Sequence, residues 1–83
     1  METIYYYKTI SDTWHISNGM SLEAREANSF LHKIRKTRSV VRLYLDVPEH
    51  FEIIKKNFHS PEYWEGRSWQ DEYEEEPLNG EEK

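Results

Sequence analysis

Residues Thr3–Ile10 read TIYYYKTI and residues Val40–Val47 read VVRLYLDV, and these two stretches decide the fold class. Both are rich in β-branched and aromatic residues, which fit a pleated, half-buried surface. Both also alternate. Ile4, Tyr6, Lys8 and Ile10 fall on one side of the first, with Tyr5, Tyr7 and Thr9 on the other. Val41, Leu43, Leu45 and Val47 share one side of the second. A two-residue period of this kind predicts strands.

Working outward, Ser11-Asp12 reads as a short turn into a second strand, Thr13–Ser17, so that the chain opens with a hairpin. Asn18-Gly19 breaks it. Ser21 is placed to cap a helix, with Glu23 and Glu26 in its positive first turns. Met20, Ala24, Ala27, Leu31 and Ile34, with Phe30 beside them, trace one face of that helix. Pro48 opens a second helix, on which Val47, Phe51, Ile54 and Phe58 share a face. Ser60-Pro61-Glu62 repeats the signal for one more turn, which Gly66 ends. The expected fold is α+β, strand–strand–helix–strand–helix. Its three-stranded sheet, antiparallel or mixed, has the order 2-1-3, because a right-handed crossover brings the third strand beside the first. Both helices are expected on one face.

Composition bounds what such a fold can do. The chain has 83 residues, enough for one domain, and only 36% of them are hydrophobic. Twelve aromatic residues offset that shortage, since each can bury ~150–250 Å². No apolar run approaches the ~18 residues of a membrane span, no secretory signal opens the chain, and a cytoplasmic protein is expected. The absence of cysteine excludes disulfides, thiolate metal sites and thiol nucleophiles.

The net charge of −5 is unevenly distributed. From Asp71 to Lys83 seven acidic residues face one lysine, whereas residues 1–70 carry nine acidic and ten basic groups. The reading is a domain over residues 1–70 and an acidic disordered tail over residues 71–83, too polar to offset its ordering entropy. Within the domain, Lys33, Arg35, Lys36, Arg38 and Arg42 form a basic stretch. It suits either phosphate contacts or the negative end of a helix dipole.

If Ile4, Ile10, Trp14, Ile16 and the Val41/Leu43/Leu45/Val47 set face the helices, the opposite side of the sheet shows Tyr5, Tyr7, Thr13, His15, Arg42, Tyr44 and Asp46. Tyrosine and arginine are frequent anchors of protein interfaces, and tyrosine also stacks nucleic-acid bases. The plainer alternative is strand propensity and cross-strand packing. Tyr5, Tyr7, His15, Arg42 and Tyr44 are therefore the candidate partner-binding residues of an open sheet face, which a second copy could also cover by a two-fold axis. Trp69, Asp71, Glu72, Tyr73, Glu74, Glu75 and Glu76 add an acidic, aromatic segment in which carboxylates and rings alternate as phosphates and bases do. Such a segment could occupy a basic groove on a partner, or cover the protein's own cations.

Catalytic motifs are absent. The four histidines, His15, His32, His50 and His59, include no pair at i, i+4, and there is no G-x-S-x-G, P-loop or G-x-G-x-x-G. His50 and His59 flank the second helix with carboxylates nearby, a chance arrangement for zinc rather than a ligand motif. No enzyme, cofactor or metal is expected. In size, acidity and lack of catalytic residues the chain resembles the small inhibitors that phages make against host defence nucleases. That likeness implies a non-enzymatic inhibitor or regulator of a protein that handles nucleic acid. The alternative is a single-stranded nucleic-acid binder, with Lys33, Arg35, Lys36, Arg38 and Arg42 on the backbone and an autoinhibitory tail.

Overall fold

The computed structural model describes residues 2–75. Strands β1 (Thr3–Lys8) and β2 (Thr13–Ile16) form the expected antiparallel hairpin, with Tyr6 opposite Ile16, Tyr7 opposite His15 and Lys8 opposite Trp14. The connection turns on Asp12, which takes φ +64°. Asp12 tolerates that left-handed backbone because its side chain bonds locally: Oδ1 accepts the Trp14 indole N–H at 3.0 Å.

The chain then departs from expectation. Strand β3 (Ser21–Glu23) adds antiparallel to the outer side of β2, and helix α1 (Ala24–Ile34) begins only after it. Asn18-Gly19 is a hairpin turn rather than a break. Gly19 supplies φ +97°, and the Asn18 carboxamide oxygen accepts the Met20 N–H at 3.0 Å. Ser21 is thereby drawn into the sheet, where its hydroxyl meets His15 Nδ1 at 2.8 Å instead of capping α1. Strand β4 (Ser39–Arg42) follows α1 and pairs parallel with β1, Ile4 beside Val40 and Tyr6 beside Arg42. Helices α2 (Pro48–Asn57), α3 (Pro61–Trp64) and α4 (Trp69–Tyr73) complete the fold. The architecture is α+β, and the three-stranded sheet of order 2-1-3 is corrected to a mixed four-stranded sheet of order β3-β2-β1-β4. Among the described residues no helix is long and apolar enough to cross a membrane.

The helices lie on both faces of this sheet, not on one. Ile4, Tyr6, Trp14 and Ile16 pack against Ala27 and Leu31 of α1. Tyr7, Leu43 and Leu45 pack on the opposite side with Ile54, Phe58 and Trp64. The cause is topological. Helix α1 crosses from β3 to β4 over one face, so the chain leaving β4 finds that face occupied and α2 takes the other. The residues expected on a single inner side are thus divided between two cores. Ile10, expected inside, is 62% exposed.

Rings do much of the filling. Tyr6 stacks on Trp14 at 5.2 Å, and Tyr7 meets Phe58 edge-on at 4.8 Å. Aromatic residues bring large buried areas to a chain short of aliphatics, provided that each buried hydroxyl finds a partner.

Candidate functional site

That proviso locates a dense cluster of polar side chains. Tyr7 has no solvent exposure, and neither has Glu72 of α4. The Tyr7 hydroxyl donates to Glu72 Oε2. Glu72 Oε1 accepts the Tyr63 hydroxyl at 2.8 Å and the Arg67 Nε–H at 3.0 Å. His15 Nε2 stands 4.0 Å from Glu72 Oε2 and 2.5 Å from Glu75 Oε2. Helix α4 is set in place by a reciprocal cap: Ser68 Oγ accepts the Asp71 N–H at 3.3 Å, and the Asp71 carboxylate accepts the Ser68 N–H at 2.9 Å. The Tyr73 carbonyl accepts the Ile10 N–H at 2.8 Å, which ties the helix end to the first hairpin.

Burial pushes the Glu72 carboxyl upward, but hydrogen bonds from Tyr7, Tyr63 and Arg67 outweigh it and hold the group below the ordinary range. Burial, reinforced by the Glu72 charge, raises both Tyr7 and Tyr63. Burial lowers His59, an effect only partly opposed by Glu72. The carboxylate therefore stays ionised and both phenols stay protonated, an arrangement that clamps α4 to the sheet.

The open aromatic face does not exist as expected. Tyr7 is buried, and His15, also buried, stacks on it at 4.9 Å. Tyr5 is half-buried and packs beside the α2–α3 core. A two-fold dimer through an uncovered sheet face is corrected for the same reason, since α2, α3 and α4 lie there. The tail is corrected at its start. Asp71, Glu72 and Tyr73 belong to α4, Glu74 caps that helix, and Glu75 reaches His15. Glu76 and the rest of the expected disordered tail lie outside the described residues.

Four of the remaining candidates do come together. Arg42, Tyr44, Trp69 and Tyr73, joined by Lys8, Leu43, Leu45 and Asp46, line a groove of about 350 Å³ where β1 and β4 end. Tyr44 is 45% exposed and Tyr73 39%. The Arg42 guanidinium lies over the Tyr44 ring at 4.3 Å, and the His50 imidazole stacks on the same residue at 5.8 Å. Burial and the neighbouring Arg42 lower the Lys8 ammonium. Lys33, Arg35, Lys36 and Arg38 are exposed but sit before β4, at the far end from Arg42, and Arg38 pairs with Glu2 at 3.1 Å.

Lys8, Tyr63 and Arg67 belong to these two sites and escape a sequence reading, whereas His59, read beside His50, stands instead with His15 and Glu72. One signal was available. Ser68-Trp69-Gln70-Asp71 fits the S-x-x-D capping pattern, which marks a helix start just before the assumed tail. No family model, curated protein or solved structure matches the chain.

Proposed function

We propose that the protein is a non-enzymatic binding module that regulates a partner protein by holding an extended, acidic segment of that partner along the free edge of β4. The carrying observation is the groove at the end of that edge, where Lys8 and Arg42 stand beside Tyr44, Trp69 and Tyr73. Among the described residues strand β4 ends the sheet on its side, and Ser39, Val41 and Arg42 are exposed. Ser39 and Leu43 donate their N–H groups inward, to the carbonyls of Glu2 and Tyr6. By the two-residue period of a strand, Val40 and Arg42 present backbone groups outward. Unpaired edges recruit extended segments through main-chain hydrogen bonds, while adjacent pockets select side chains.

Cations stand at both ends of the edge: Arg35 and Lys36 before it, with Arg38 paired to Glu2, and Arg42 at its last position with Lys8 at the end of β1. That complementarity favours an acidic occupant. Inhibition by a mimetic tail has less support, because Glu72 and Glu75 are engaged within the fold and Asp71 caps its own helix. Base stacking has less support as well, since Tyr7 is buried and Tyr44 already carries Arg42 and His50.

Selection of extended peptides from a display library on the full chain tests the reading. Enriched peptides should be rich in carboxylates and should shift the amide resonances of Val40, Val41 and Arg42. The Lys8→Glu/Arg42→Glu variant should lose them. Selection without acidic enrichment, indifference to the charge reversal, self-association through β4, or stronger shifts from a single-stranded oligonucleotide would each overturn it.

A further inference from the structure

Beneath α4, away from the groove, the fold gathers His15 from β2, His59 from the α2–α3 connection and Glu72 from α4. One potential ligand atom from each lies within 4.8 Å of the others. We propose that these residues, with Glu75 as the fourth ligand, bind a divalent transition-metal ion, zinc by the chemistry of the donors, and that the ion fastens the C-terminal helix to the sheet.

Two imidazoles and two carboxylates are a donor set that zinc takes tetrahedrally, with bonds of ~2.0–2.2 Å and neighbouring ligand atoms therefore about 3.3 Å apart. His15 Nε2 and Glu72 Oε2 are 4.0 Å apart and all three ligand atoms lie within 4.8 Å of one another, so the side chains would draw together around the ion to reach that geometry. Glu75 Oε2 lies at 2.5 Å from His15 Nε2 as a hydrogen-bond partner and would exchange that bond for one to the ion. Two carboxylates neutralise a divalent charge.

The surroundings are organised as those of a metal site are. A ligating histidine normally gives its other ring nitrogen to a fixed partner, which settles the tautomer. Ser21 Oγ stands at 2.8 Å from His15 Nδ1 and can serve that role. Tyr7, Tyr63 and Arg67 hold the Glu72 carboxylate ionised and oriented. His59 occupies the left-handed region at φ +64°, which a histidine rarely adopts, and its ring stacks on Tyr63 at 3.8 Å. A cavity of about 130 Å³ lined by His15, His59, Ser17, Ser21 and Asn57 provides an approach from solvent. A structural ion also answers the shortage of apolar residues, since small domains often need such a staple. The expectation of no metal rested on local spacing, and ligands at positions 15, 59 and 72 carry no local spacing to read.

The test uses the full chain stripped with a chelator and titrated with zinc sulfate, with magnesium as control and cobalt(II) as a spectroscopic probe. One zinc per chain, a zinc-specific rise in Tm and the visible absorption of tetrahedral cobalt are expected. His59→Gly suits the left-handed backbone and keeps the fold while removing a ligand. It should weaken zinc binding roughly a hundred-fold or more, beyond the ~10–100-fold expected of Ser21→Ala as an outer partner. No zinc-specific rise in Tm, octahedral cobalt spectra, or binding by His59→Gly as tight as by the native chain would each overturn the proposal.

Discussion

Tyr7→Phe isolates the Glu72 clamp. The ring keeps its packing on Phe58 and His15 and no cavity opens, so the change is confined to one hydroxyl. Glu72 Oε1 retains Tyr63 and Arg67, whereas Oε2 is left with His15 at 4.0 Å. A buried hydrogen bond to a charged group contributes about 1.5–3 kcal/mol. In a domain of this size each kcal/mol moves Tm by about 4–8 °C, so a fall of roughly 6–24 °C is expected. Tyr63 is half-buried and shares its oxygen with Arg67, and Tyr63→Phe should cost less, about 0.5–1.5 kcal/mol. Urea denaturation in the presence of chelator, followed by tryptophan fluorescence and circular dichroism, measures both. In a Glu72→Gln background the Tyr7→Phe effect should shrink, with a coupling energy of about 0.5–3 kcal/mol. Tyr7→Phe within about 0.5 kcal/mol of the native chain, or costing less than Tyr63→Phe, would refute the clamp.

Two further outcomes follow from the same residues. The Glu72 carboxyl is held below its unfolded value, so its contribution is complete above about pH 4.3 and is lost as the pH falls through the folded value. His59, also held low, contributes stability that is present above about pH 6.5 and lost on acidification. The metal-free chain should therefore have its highest urea midpoint at pH 7.5, a lower one at pH 5.5 and the lowest at pH 3.5; a midpoint that rises on acidification would contradict both assignments. Truncation after Gln70 removes Glu72 and Glu75 and leaves the Tyr7 hydroxyl buried without its acceptor. The cost, about 1.5–3 kcal/mol for each lost hydrogen bond to the Glu72 carboxylate, is a large part of the ~4–12 kcal/mol a chain this long holds. Circular dichroism should show loss of cooperative unfolding, and a truncated chain with the native Tm would place the clamp outside the stabilising core.

The elements legible in the sequence are those whose local signals agree. TIYYYKTI alternates, is rich in strand formers and is followed by a turn, and β1 and β2 pair accordingly. Pro48 and Pro61 both open helices. Ser21 shows where such reading fails. A serine ahead of two acidic residues fits a helix start, but the same serine can pair in a strand, and the tight turn at Asn18-Gly19 delivers it to β2 first. The assignment of helices to faces failed for a different reason. Alternation in Tyr5-Tyr6-Tyr7 separates two sides of a strand, but when both sides carry rings it does not say which one water touches. That depends on where α1 crosses, a property of the whole chain.

The C-terminal segment carries the more general point. Asp71, Glu72, Glu74 and Glu75 look alike in composition, and a run of them reads as a solvated tail. In the fold they do different things: Asp71 caps α4, Glu72 is buried on two phenols and a guanidinium, and Glu75 reaches a buried imidazole. A carboxylate enters a core only where its donors are already assembled, and those donors come from positions 7, 15, 63 and 67. Net charge is additive over residues and says nothing about such an assembly. The inference runs better in reverse. A chain poor in aliphatics that buries tyrosine must supply acceptors for the hydroxyls. Where an acidic segment follows a tyrosine-rich strand, its carboxylates are the acceptors at hand.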